Sequence, residues 1–414
     1  MNVFNDIVKI VNQIRGKENI FGYKSTIANQ FYLVYCFMGE IYFSTKFHRH
    51  TKFFMFSWQI SGLLVAIFQQ VSYIFYGDKK DFAALLYTTF ITLTVFATHI
   101  IIPYFSVIRY RSDLQNAIQI ADRIIMRKKS PIHKPKDELN VGKLLKYTSA
   151  FHIFTGLIFC LICNLNIVLF YEEEKVQNHV YYLVYVPRLD LYGSLPFFLI
   201  FNTVVGFAAF AVYAGWLMMI FILVFCTVIF YNEMLRITEN LNFLSSESMT
   251  IESYKLIQPK FKDTIIKCTR DFQNAIKMIE CFRGFYETLA AFLLPTLLYF
   301  EITHAFLFVS PNISITVRLR ELSAFLTTIQ PVFMMCWMGD MLDESAEALS
   351  FAVYSAPWYW STSLRKDVYI LMCQTQKPIS AETLGAYPLC LATFLRFMNV
   401  VQSSVNVLRT ITSK

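Results

Sequence analysis

Four stretches of this chain run for at least 25 residues without Asp, Glu, Lys or Arg: Phe53 to Gly77, Phe82 to Ile108, Tyr147 to Tyr171 and Leu191 to Asn232. About 20 apolar residues carry a helix across a bilayer core, where only a helix or a closed barrel satisfies its own backbone. Each window is therefore long enough to span a membrane as a helix. The 42 residues of the fourth fit either one long helix or a hairpin of two. Three further windows complete the set. Leu322 to Gly339 extends N-terminally across Arg318, Arg320 and Glu321, Gly284 to Val309 keeps Glu287 and Glu301, and Thr383 to Leu408 keeps Arg396. Ionisable groups retained in a spanning helix turn toward protein interior or an aqueous path. A shorter run, Phe31 to Thr45, holds Glu40 and reads as an interfacial or re-entrant helix ahead of the first span.

Composition excludes a soluble alternative. With 56% apolar and 16% charged residues, the 414-residue chain has too little polar surface to wrap two or three globular cores. Its 41 Phe, 24 Tyr and 5 Trp exceed the needs of interfacial belts, so some rings line a protein interior wide enough to make an apolar cavity thinkable. The net charge of +8 reads as a topology signal and not as a nucleic-acid surface. Alternate connecting segments carry 28 Lys and Arg against 6 in the others. That asymmetry places the N-terminus in the cytoplasm and, after seven spans, the C-terminus outside. A hairpin at Leu191 to Asn232 would move eight basic residues outside, so one long helix is expected there, its end projecting beyond the membrane through Asn232, Glu233, Arg236 and Glu239. The sequon Asn312-Ile313-Ser314 falls in an outer loop on this topology.

Enzyme chemistry finds no support. There is no Gly-rich phosphate loop, no metal-spaced His, Cys and Asp set and no nucleophile elbow. His99, His152 and His304 are single within or beside spans and read as packing histidines. The nine Cys lie mostly in apolar runs, where Cys160-x-x-Cys163 reads as helix packing. Neither a cofactor nor a metal is implied. Two extramembrane helices carry apolar faces, Leu114, Ile118, Ala121 and Ile125 on one and Ile265, Phe272, Ile276 and Ile279 on the other. Such faces need partners, within the chain or in other subunits. Together with Met341 to Arg365 they are expected to form subunit contacts.

The last window is the most informative. From Arg396, polar or small residues recur at Asn399, Ser403, Asn406 and Thr410 along one helical face, beside a second row of Val400, Ser404, Val407 and Ile411. Two readings fit. The rows line a pore with a dewetting constriction, which requires several subunits, or the polar groups join helices within one subunit. G-protein-coupled receptors do not fit, because their N-terminus lies outside. A transporter remains an alternative, although the two halves show no internal repeat.

The C-terminal third resembles the insect odorant receptors. The similarity runs through Gln330-Pro331-Val332-Phe333-Met334-Met335-Cys336-Trp337-Met338-Gly339, Ser345, Ala352-Val353-Tyr354, Trp358-Tyr359, Arg365-Lys366, Gln376-Lys377-Pro378, Gly385, Thr393-Phe394, Ser403 and Leu408. Pro357, Ser404 and Val405 depart from the usual pattern. The resemblance implies an all-α, seven-span membrane protein acting as an odorant-gated, non-selective cation channel subunit. It would stand in the plasma membrane of a sensory dendrite, in a heterotetramer with co-receptor subunits. The co-receptor carries a long insertion between spans four and five, for which Tyr231 to Arg283 is too short, so this chain resembles a tuning subunit. A gustatory-type homotetramer is the nearer alternative, but its Gln-Phe in the last span is absent.

The implied division is an N-terminal segment over 1–52, spans one to six over 53–338, an anchor over 339–382 and a pore-lining helix over 383–414. In this family a small volatile sits in the outer half of the bundle. The residues offered there are Tyr87, Phe90 and Ile91 on span two, Phe159 and Cys163 on span three, Asn202 and Val205 on span four and Phe325 on span six, each also explicable by interhelical packing. The family pattern carried along the last helix sets the gate at Val407 and Ile411, with Thr410 lining beside them and Ser403 and Asn406 on the polar stripe.

Overall fold

A computed structural model describes residues 4–6, 8–9, 12, 21–37, 40–76, 89, 93, 100–101, 104–127, 139–147, 150–151, 154, 157–158, 161, 224–242, 251–310, 315–356, 365–377, 379, 382–383 and 387–412. Its principal helices are α1 (Thr26–Phe37), α2 (Arg49–Tyr76), α3 (Arg111–Arg127), α4 (224–242), α5 (Ile251–Val309), α6 (Ile315–Ser355), α7 (Arg365–Thr375) and α8 (Leu391–Thr412). A two-stranded antiparallel hairpin, β1 (Glu382–Thr383) and β2 (Tyr387–Pro388), stands between α7 and α8. Among the described residues, Lys262–Val309 and Arg318–Ser355 are long and apolar enough to cross a bilayer. On α2, Phe53, Phe56, Ile60, Leu64, Ile67, Val71 and Ile74 form an exposed apolar stripe at steps of three and four, the pattern of a lipid-facing surface.

At one end of the bundle α1, α3, α4 and the first half of α5 build a common core. Ser25 caps α1, its hydroxyl accepting from the Ala28 amide, while the Asp122 carboxylate of α3 accepts from the Lys24 and Ser25 amides. Phe31 stacks on Phe225 of α4 with centroids 4.3 Å apart. Asn232 clasps the Leu139 backbone with two hydrogen bonds, one given and one received. Charges tie the same elements. Asp271 of α5 meets Arg127 of α3 at 2.9 Å and Arg236 of α4 at 2.5 Å, and Arg236 also holds Glu233. Nearer the chain start, the buried Asp6 carboxylate accepts from the His48 amide and the Thr51 hydroxyl and meets the His48 ring.

Several sequence-based boundaries are corrected. The run Phe31 to Thr45 is not one helix: α1 starts at Thr26 and stops at Phe37, and Glu40 opens a separate 3-10 turn, Glu40–Tyr42. Arg111 grips that carboxylate through Nε and Nη2 while Gln115 adds a third donor, so Glu40 faces α3 where a continued helix would have carried it elsewhere. Of the two partners allowed for the apolar faces of α3 and α5, the structure shows the one within the chain. Leu114, Ile118 and Ala121 close on Ile265, Phe272 and Ile279 within the chain. The last window loses its first eight residues to the hairpin and its approach, and gains four at its end. Finally, α5 and α6 run without interruption through the membrane boundaries inferred at Gly284 and Gly339. Charge marks where lipid ends and does not mark where a helix ends.

Candidate functional site

The start of α8 is fixed by α6. Gly339 lies so close to the Leu389 backbone that a Cβ there would overlap the Leu389 carbonyl oxygen, so only glycine admits the approach. The next residue, Asp340, accepts from the Leu391 amide at 3.0 Å and caps the helix. Thr393 donates its hydroxyl to the Pro388 carbonyl, and Phe394 meets Phe333 of α6 edge to face with centroids 5.5 Å apart. Phe333, Gly339, Thr393 and Phe394 belong to the series that carries the family resemblance. In the structure they form one junction.

Beyond the junction α8 divides into two faces. Phe394, Phe397, Val401, Val405 and Leu408 pack on the core of the chain. Arg396, Asn399, Ser403, Asn406 and Thr410 are exposed, and so are Val400, Val407 at 57% and Ile411 at 65%. Ser404 is partly buried between the two faces. The Thr410 hydroxyl donates to the Asn406 carbonyl one turn back. The polar stripe is therefore exposed and faces away from the core that the described residues form. Of the ligand-site residues, Tyr87, Phe90, Ile91, Phe159, Cys163, Asn202 and Val205 lie outside the described residues, and Phe325 is partly buried on α6.

A buried polar cluster lies where the end of α5 meets the start of α6. Glu321 is fully buried; its carboxylate receives Arg320 through Nε at 2.8 Å and Nη2 at 2.5 Å, and the His304 ring of α5 at 2.7 Å. Arg318 donates to the Ser310 carbonyl and ties the same two ends. Ser323, Thr327 and Thr328 return their hydroxyls to carbonyls of their own helix. Glu301, one turn before His304, is also fully buried, with the Thr328 side chain beside its carboxyl. Sequence reasoning flagged Glu301 as inward-facing and read His304 as a packing histidine, which it is, buried against Glu321. Its partnership with Glu321, 17 residues away, follows from the antiparallel pairing of two helices and has no local signature.

These features define a multi-span, mostly helical membrane protein whose last helix presents a polar and small-apolar surface outward from its own bundle. A model of the 7tm odorant receptors matches residues 82–402, and the chain belongs to that family. The fold, with its seven membrane helices, is that of the insect olfactory receptor OR5 from Machilis hrabei: the TM-score is 0.62 at 12% identity, covering 98% of both chains. The same receptor in complex with eugenol matches with a TM-score of 0.58 at 14% identity, covering 99% of this chain and 98% of that one. No curated protein matches the chain.

Proposed function

We propose that the chain is a tuning subunit of an odorant-gated, non-selective cation channel. It binds a small volatile in the outer half of its bundle, among Tyr87, Phe90, Ile91, Phe159, Cys163, Asn202, Val205 and Phe325, and opens a pore lined in part by α8. The observation that carries this reading is the outward face of α8: a polar row beside a small-apolar row, exposed in the single chain, is what a subunit contributes to a shared pore. Family membership and the eugenol complex of OR5 support the ligand class. The subunit stands in the plasma membrane of a sensory dendrite with its N-terminus in the cytoplasm. One such helix cannot enclose a pore, so co-receptor subunits supply the rest of the ring. A volatile of ~10 to 15 heavy atoms binds at roughly micromolar strength at ordinary ligand efficiencies.

The test is electrical. Co-expressed with a co-receptor, the chain gives volatile-gated cation current and, alone, little or none. Val407→Ser or Ile411→Ser raises resting leak or alters ion selectivity, diluted by the other subunits. Unchanged leak and permeability in both variants, in complexes shown to contain this chain, would remove α8 from the gate.

A further inference from the structure

We infer that Arg396 is a charge filter, a fixed positive charge at the cytoplasmic mouth of the pore that holds back divalent cations and slows the outward passage of monovalent ones. This goes beyond the channel reading above and rests on it. The side chain is exposed, five residues after Leu391, while Phe394, Phe397, Val401, Val405 and Leu408 bury the other side of α8. Helical geometry sets Arg396 about 140° round from the middle of that buried row, whereas Arg409 stands only about 80° from it. Arg396 instead heads an exposed column with Val400, Ser403 and Val407, spaced four, seven and eleven residues on, although Ser403 is nearer the polar row. Eleven residues of helix put it roughly 16 Å from Val407, on the same face as the proposed gate.

Nothing on the helix offsets that charge. α8 contains no Asp or Glu, and among the described residues no carboxylate pairs with Arg396. Asp340, at the head of α8, is engaged with the Leu391 amide. The hairpin and its approach take the first eight residues of the last apolar window, so with the N-terminus inside α8 starts at the cytoplasmic boundary. Arg396 then stands in the second turn and not at the bilayer centre, where a bare guanidinium is far more costly. Acidic rings favour cations in a pore and basic ones favour anions, so an arginine here works against cation flow. It repels a divalent ion twice as strongly as a monovalent one, and acts most on ions arriving from its own side. Dissolved salt screens it, with a reach of about 8 Å at physiological ionic strength. An arginine that only snorkelled to lipid head groups would leave permeation unchanged.

The experiment uses excised inside-out patches that carry the full chain with its co-receptor, and compares calcium with sodium as carriers of the volatile-gated current. Arg396→Gln should raise the calcium-to-sodium permeability ratio about twofold, and the outward current at low cytoplasmic salt about 1.5-fold. Arg396→Glu should go further, and Arg396→Lys should match the unmodified chain. The difference between Arg396→Gln and the unmodified chain should vanish in molar cytoplasmic salt. Equal permeability ratios throughout the series, or a difference that molar salt leaves untouched, would overturn the assignment. If Arg396→Gln fails to reach the surface, Arg396→Cys decides, coupled after assembly to a cationic or an anionic thiol reagent from the cytoplasmic side. Only the cationic adduct should restore the unmodified ratio, and equal ratios for the two adducts would overturn the assignment, with the unmodified chain as the control for native thiols. Gated current whose leak responds to Val407→Ser while its permeation ignores position 396 refutes the charge filter alone. Absence of any gated current refutes the channel reading and takes the charge filter with it.

Discussion

Gly339 and Asp340 show how much of a subunit's working geometry can rest on adjacent side chains. The missing Cβ lets the Leu389 carbonyl lie against α6, and the next carboxylate holds the first amide of α8. Gly339→Ala forces backbone apart and should cost several kcal/mol, in the tail of single substitutions that strain a packed site. Asp340→Ala removes only a cap and should cost about 1 kcal/mol, with Asp340→Asn close to the unmodified chain. Thermal unfolding of the purified complex orders the three. Asp6 adds a pH-dependent contact. Burial alone would raise its carboxyl, but the hydrogen bonds from Thr51 and His48 outweigh it and hold the group below the usual carboxylate range. A depressed folded value means the contact contributes above the ordinary carboxylate pKa of about 4 and fades as pH falls through the folded value. Protease cleavage near Asp6 should therefore accelerate only below about pH 4, and Asp6→Asn should show the fast cleavage at neutral pH.

Between α5 and α6 the decisive contact is ionic. Glu321→Ala strands Arg320 without its carboxylate in a fully buried site and should cost about 3–5 kcal/mol, while the paired replacement Arg320→Met with Glu321→Leu should recover most of the loss. Surface expression and thermal stability of the single and double variants measure the difference. The seven-helix membrane class was legible because lipid excludes charge, and a row of residues at steps of three and four is enough to pick out both faces of α8. Helix continuity was not. Arg283 and Asp340 signalled the end of the apolar environment, yet α5 and α6 pass through both positions. Nor was the role of the α3 and α5 apolar faces legible, since periodicity shows that a face needs covering without naming the cover. His304 and Glu321 meet only because α5 and α6 pack side by side. The pocket residues came from the family resemblance alone.

At the scale of the whole molecule, assembly leaves a chemical trace. Cys226 and Cys268 are buried, whereas Cys373 is exposed on α7 beside Tyr369 and Ile370, large apolar side chains left uncovered in the single chain. A maleimide should modify Cys373 in the dissociated chain, spare Cys226 and Cys268, and lose access to Cys373 in the assembled complex. Equal labelling in both forms would take α7 out of the subunit contact. Orientation is separable: a tag after Lys414 should be stained on intact cells and one before Met1 should not. The 59 residues of α5 form an unbroken rod of roughly 90 Å, about three times the apolar thickness of a bilayer. Asp271, knotted to Arg127 and Arg236, and Glu301 sit on that rod roughly 45 Å apart. Of the two prolines inside α5, Pro259 and Pro295, the second lies between Asp271 and Glu301 and removes one backbone hydrogen bond without ending the helix. Because one continuous helix joins the two regions, loosening the ionic knot should retune the response to odorant from a site the odorant never touches.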